Sequence, residues 1–445
     1  MKSFYKKFFI LMIPMALKEL ISSLVNLVDT IMVGQLGETS IAAVGIANQV
    51  YFLFTVFLFG MSCGAGVFAS QFWGAGDIKN MRRVLGLNLL LSISLAFIFI
   101  LGVFTIPKQI FQQFTADPKV MEEGMQYIFI VCIGYLATAV TTCYDMSVCC
   151  SENAALPFIT RAAGLVINVF FNWIFIFGHL GVPAMGVRGA AIATIIARFS
   201  EMAIMLSVIY GKKLIQAAKP KELFHFHRDL VVRFFKAATP VILNEMAWAI
   251  GITVYTWVFS KISPEAMVVV TIVQNVERLM LVFFHGGGNA AGIFIGKAVG
   301  AKKYKTAYVY GKKFAVLSVG LALILSICFV LARPLILAPY NISPEVYQSA
   351  MQLLLIVAFM MNIKSLTFLL IVGVFRNGGD TRAAMFIDIG SVWLIGVPMV
   401  ALFGLVFHAP LVITYGVMCT EELVKVVVSL FRFKSKKWIK NLVSV

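Results

Sequence analysis

The sequence predicts an all-α integral membrane protein with twelve transmembrane helices in two parallel-repeat six-helix bundles. Three observations carry that prediction. Of 445 residues, 60% are hydrophobic and only 13% charged, the balance of a membrane chain rather than a globular one. Apolar runs recur along the whole length, each able to cross about 30 Å of hydrocarbon as a helix. The sequence also repeats itself at an offset of 226 residues.

The runs cover 8–34, 41–73, 84–106, 120–149, 157–178, 186–211, 230–262, 265–298, 306–332, 345–375, 382–407 and 410–432. Several are longer than a perpendicular span needs, so tilt or overhang is expected. The first run is read as a span and not as a cleaved signal peptide, because it is long and contains Pro14, Lys18, Glu19 and Asp29. The expected organisation is an N-terminal bundle over 1–211, a linker over 212–229 and a C-terminal bundle over 230–445 that ends in a basic tail.

The repeat is seen in three places. IPMALKEL (13–20) lies on TPVILNEM (239–246), with Pro14 on Pro240 and Glu19 on Glu245. GMSCGAGVFASQFWGAGDIK (60–79) lies on GGGNAAGIFIGKAVGAKKYK (286–305), so that Gly60, Gly66 and Gly74 meet Gly286, Gly292 and Gly300. NWIFIFG (172–178) lies on PMVALFG (398–404), ending on Gly178 and Gly404. The offset spans six runs, an even number, so both halves enter the membrane the same way round. Parallel repeats of this kind are related by an axis along the membrane normal and rock about a central site. The glycines allow close helix packing, and Pro14 and Pro240 are positions for matching kinks.

The net charge of +17 is distributed by topology. Basic residues gather at Lys2, Lys6 and Lys7, at 79–83, at 212–236, at 297–313, at Arg376 and Arg382, and in the tail from Arg432 to Lys440. These are alternate loops and both termini, which places the termini in the cytoplasm. That explanation leaves no call for nucleic acid. The seven cysteines lie almost entirely within the runs, with no CxxC pair and no zinc spacing. No P-loop, Rossmann fingerprint or nucleophile–base pattern appears, so neither an enzyme nor a chain driven directly by ATP is expected. No cofactor and no ATPase partner are called for.

Asp29 is the residue that points to function. It is an acid deep in LVNLVDTIMVGQLG (24–37), and ionisable groups at membrane depth default to functional roles. The fifth run carries Asn168 and Asn172 at a depth similar to Asp29, four residues apart and so on one helix face. Thr194 in the sixth run can join them. One carboxylate, two amide oxygens and a hydroxyl suit a Na⁺ ion held at Asp29, Asn168 and Asn172, or a proton on a hydrogen-bonded carboxyl. Glu245 in the seventh run is the second candidate acid, with Asp388 in the eleventh placed to face it. Arg198 with Glu201, and Glu422 with Lys425, are spaced for i,i+3 ion pairs that lower the cost of intramembrane charge. Glu277 and its neighbour Arg278 each need a partner of their own. Asp145 and Lys364 have none that the sequence names. His225 and His227, two apart, read as an ordinary loop.

Pro14, Leu17 and the stretch VDTIMVGQLG (28–37), the glycine-rich second run, NGGDTR (377–382) and the Asn168–Asn172 pair resemble the multidrug and toxic compound extrusion (MATE) family. The resemblance covers the whole chain and is nearest the bacterial NorM-like branch. It implies export of organic cations and other amphipathic compounds in exchange for Na⁺ or H⁺, across a bacterial inner membrane. It also implies ion-binding roles for Asp29, Asn168 and Asn172, and for Glu245. The chain departs from some relatives in the tenth run, where MMNIKSLTF (360–368) has Lys364 and no acid; a second cation site in that half is thereby in question. A lipid-linked oligosaccharide flippase of related fold is the alternative reading, but it would want arginines lining its cavity, and few arginines lie mid-run.

Overall fold

The protein is described here by a computed structural model covering residues 2–340 and 342–444. The side chains of residues 2 and 3 lie outside that description, including Lys2 of the basic N-terminal cluster. Among the described residues every regular element is a helix. The spans are α1 (Lys2–Gly34), α2 (Glu38–Ala75), α3 (Ile78–Thr105), α4 (Pro118–Val131 continuing after a 48° bend as Gly134–Cys150), α5 (Ala155–Phe177) and α6 (Val187–Gly211). Then come α7 (Arg228–Ile262), α8 (Pro264–Gly300), α9 (Tyr304–Leu337) and α10 (Pro344–Phe368 running into Leu369–Arg376). The last two are α11, which begins at Thr381–Ser391, and α12 (Leu411–Met418 then Thr420–Lys434).

Ten of the described helices are long and apolar enough to cross a membrane, and the bent α4 makes an eleventh. The twelfth place in the order belongs to α12, which is interrupted at Cys419 and carries Glu421, Glu422 and Lys425. Those charges make it the least apolar span.

The repeat is written into the helix boundaries. α2, α3, α4 and α5 begin at 38, 78, 118 and 155, and α8, α9, α10 and α11 begin at 264, 304, 344 and 381. Each pair differs by the same 226 residues. Local chemistry explains why starts coincide. Asp117 caps α4 by accepting from the Lys119 amide, with Pro118 at the first helical position. Its repeat mate Ser343 caps α10 by accepting from Val346, with Pro344 next. A capping oxygen followed by proline is a helix start by construction. α5 ends at Gly178, whose φ of +77° favours glycine.

The helices pack as two compact units. One consists of residues 17–69 and 77–234, the other of residues 1–16, 70–76 and 235–445. Residues 1–16 and 70–76 thus group with the C-terminal helices. In the first unit α5 lies along α6, and α3 and α6 both lie against the second half of α4. Its core includes Leu85, Tyr144, Val148, Met205 and Ile209. In the other unit α8, α9 and α10 pack together around Val270, Val273, Leu353, Leu354 and Met361.

That second unit departs from regular helix geometry. Leu369–Arg376 of α10, and Val392–Gly396 and Leu402–Val406 of α11, are π-helical. Wide turns of this kind cluster at functional positions. Within the same unit, the ends of α2 and α8 touch through glycine. A side chain on Gly74 would sit 2.7 Å from the Lys297 carbonyl carbon, and one on Gly300 would sit 2.6 Å from that of Gln71. The repeat offset converts one contact into the other, the reciprocity expected of a two-fold relation. The tail after α12 seals this end: Trp438 is fully buried, Lys440 Nζ lies 2.6 Å from Asp380, and the Leu442 amide donates to Gln71.

Candidate cation-binding site

α1 and α5 bring Asp29, Asn168 and Asn172 together. Asn172 Nδ2 donates to Asp29 Oδ1 at 2.5 Å and to Asn168 Oδ1 at 3.2 Å. Both asparagines are buried, at 1% and 0% exposure, while Asp29 is half-buried. Their one-turn spacing on α5 puts both amides on one face. The Asn172 carbonyl oxygen has no partner among the described residues, nor has the Asn168 amide nitrogen. A buried acceptor beside a carboxylate can accept from a donor or coordinate a cation.

Thr194 reaches this group indirectly. It is in polar contact with the buried Tyr127 of α4, which lies in the electrostatic range of Asp29 and Arg198. Sequence reasoning missed Tyr127, because a tyrosine in an apolar run is ordinary and nothing in its spacing marks it.

The buried acids Asp145 and Glu201 of this unit both have bases. Glu201 binds Arg161 at 2.9 Å and Arg198 at 3.2 Å. Arg161 reaches Asp145 at 3.9 Å, Asp145 reaches Lys18 at 3.7 Å, and Lys18 reaches Glu19 at 3.8 Å. Asp145, for which the sequence named no partner, therefore has two. The ladder follows from packing: Gly164 on α5 leaves room for the Glu201 carboxylate of α6. Buried charge is tolerated when it is paired. Asp29 alone among these acids has no ion pair among the described residues and is held by an amide.

In the second unit Glu245 and Asp388 each have a base. Glu245 is bound to Arg376 at 2.6 Å. Asp388 accepts from Asn244 at 2.9 Å and lies 3.0 Å from Lys425. Lys364, also without a named partner in the sequence, is paired with Glu277, to which Tyr415 also donates at 3.4 Å. Lys425 is shared by Glu422 at 3.2 Å and Glu421 at 3.7 Å. The Glu422–Lys425 pair was expected from spacing; Glu421 was not singled out. Among the described residues no three His, Cys, Asp or Glu side chains converge as a metal site.

A doubled, all-helical membrane protein with charged side chains paired between its spans has the architecture of a membrane transporter. The chain belongs to the MatE family, whose model matches residues 14–174 and 240–427, and it is a membrane transporter. It is 23% identical over 418 residues to the uncharacterized transporter YisQ of Bacillus subtilis, covering 93% of this chain and 90% of that one. It is 22% identical over 448 residues to the probable multidrug resistance protein NorM of Thermotoga maritima, covering 97% and 93%. Among solved structures, the Vibrio cholerae MATE transporter VcmN in its bent form superposes with a TM-score of 0.87, at 19% identity over 99% of both chains.

Proposed function

We propose that this transporter exports organic cations and other amphipathic compounds across the cell membrane by exchange for Na⁺ or H⁺, with both termini in the cytoplasm. The observation that carries the proposal is the state of Asp29. The buried acids Asp145 and Glu201 of its unit have bases, whereas Asp29 is held by Asn172, beside an amide oxygen with no donor among the described residues. Such a carboxylate can take a cation without first losing a salt bridge.

Exchange follows from competition for that charge. With the ion bound, Asp29 no longer attracts a cationic compound, which leaves outward. The ion is released on the side where its concentration is lower, and the restored charge recruits the next compound. One charge moved through 100 mV supplies about 2.3 kcal/mol, sufficient for a gradient of roughly fiftyfold at about 1.4 kcal/mol per decade. The 21 Met and 39 Phe of the chain provide adaptable apolar contact for varied substrates.

The test is ethidium efflux in proteoliposomes, with a Na⁺ gradient and a pH gradient imposed separately. Export is expected with one of them and is expected to fall to the level of empty liposomes in Asp29→Asn. Full export by Asp29→Asn would sink the mechanism. No response to either gradient in the native protein would turn attention to a lipid-linked sugar as substrate.

A further inference from the structure

The repeat mate of Asp29 is Tyr255, 226 residues on. α7 therefore carries a hydroxyl where α1 carries an acid. The hydroxyl does not stand alone: it donates to Glu421 Oε2, on α12. The second unit thus recovers a carboxyl at the repeat-equivalent place, supplied by another helix.

Glu421 belongs to a set of three carboxylates around one ammonium. Lys425 Nζ lies 3.0 Å from Asp388, 3.2 Å from Glu422 and 3.7 Å from Glu421. Each carboxylate also has one neutral donor: Asn244 to Asp388 at 2.9 Å, Thr367 to Glu422 at 2.8 Å, and Tyr255 to Glu421. Glu421 and Glu422 are 8% exposed and Lys425 is 4% exposed. The nearby bases each come with an acid of their own, Arg376 with Glu245 and Lys364 with Glu277, to which Tyr415 also donates, so they leave the net charge of the neighbourhood unchanged. Fully ionised, the three acids and one lysine would carry two uncompensated negative charges within the bilayer. Carboxylates this close, in low dielectric, do not all ionise. Positive charge must enter the set, and among the described residues the side chains do not converge as metal ligands.

A second observation points the same way. Asn244 is 1% exposed, its nitrogen is aimed at Asp388, and its carbonyl oxygen has no partner among the described residues. If the amide turns over, that oxygen can accept from a protonated Asp388, so the residue suits either protonation state.

We propose that the Lys425 cluster is a second ion site of this transporter, a proton site in which one H⁺ rests on Glu421 and can exchange with Asp388. Glu421 is the resting place because it is farthest from Lys425 and its ionised form gains least from the ammonium. Binding is the simple conversion of a carboxylate to a carboxyl group. The presence of the proton stands independently of the antiport reading; its use in transport rests on it.

The test separates the two. Infrared spectra of purified, folded Asp29→Asn protein are recorded in H₂O and D₂O across a pH series. Removing Asp29 eliminates the first site, so a remaining buried protonated carboxyl band belongs elsewhere. That band is expected in Asp29→Asn, and its loss is expected when Glu421→Gln is added. In Asp29→Asn with Tyr255→Phe, which keeps the ring and removes the donor, the band should persist at higher frequency. This second variant serves if Glu421→Gln does not fold. No protonated band in Asp29→Asn, a band unmoved by both additions, or a band removed by Na⁺ at constant pH would each overturn the proposal. None of these outcomes depends on export, which ethidium efflux reports separately.

Discussion

The two units bury acids in different ways. In the unit of residues 17–69 and 77–234, charges form a ladder from Glu19 through Lys18, Asp145, Arg161 and Glu201 to Arg198, and Asp29 stands outside it. In the other unit the acids converge: Asp388, Glu421 and Glu422 share Lys425. The first arrangement leaves Asp29 without an ion pair among the described residues. The second has more acid than base within a single cluster. Duplication thus supplied two similar frames, and side-chain divergence gave them different chemistry. The exchange of acid for hydroxyl between positions 29 and 255 is the clearest instance.

The largest stability effect should come from removing the base that organises the second unit. Lys425→Met leaves Asp388 and Glu422 without their ammonium, and breaking a buried pair costs about 3–5 kcal/mol. Thermal unfolding in detergent should show a clear fall, and adding Glu422→Gln should recover part of it. A melting temperature unchanged by Lys425→Met would mean that the cluster is not held by its lysine.

A smaller effect is expected at Asn172→Ala in the first unit. It removes the donor to Asp29, a hydrogen bond to a charged group worth about 1.5–3 kcal/mol. Because the lost bond is at the proposed ion site, half-saturation by the driving ion should shift by roughly tenfold at about 1.4 kcal/mol per decade, with the ladder intact. Concentration dependence of ion-driven efflux reads this directly. An unaltered dependence would move the ion site away from α5.

Gly74→Ala and Gly300→Ala probe what the halves still share. Each places a methyl against backbone, and overpacking costs about 1–3 kcal/mol. The repeat relation predicts similar losses for the two, within several tenths of a kcal/mol. A strongly unequal pair of melting temperatures would show that the contact is reciprocal in position but not in energy. The smallest effect belongs to Glu19→Gln, at the exposed end of the ladder with a 3.8 Å pair to Lys18. Exposed pairs contribute about 0–1 kcal/mol, so stability and export should both stay near native levels.

Some of the site could be read from the chain directly. Asn168 and Asn172 are four residues apart, and helical periodicity makes them neighbours whatever surrounds them. Arg198 with Glu201 and Glu422 with Lys425 pair for the same local reason. Tyr127, the Arg376 partner of Glu245, and the Glu277 partner of Lys364 were not legible. Each joins helices far apart in the chain, and no periodicity relates them. The π-helical turns of α10 and α11 were equally silent, since their residues are as apolar as those of regular spans.

By itself, the sequence determined an all-helical membrane chain and its 226-residue repeat. Apolar run length, capping residues and helical period are local properties, and they act before any two helices meet. Only the tertiary structure decided which base each buried acid meets, that Asp29 meets an amide, and that α12 sets a carboxyl against Tyr255, the repeat mate of Asp29. Those outcomes depend on distances of a few ångströms between separate helices, which packing sets and no local pattern encodes.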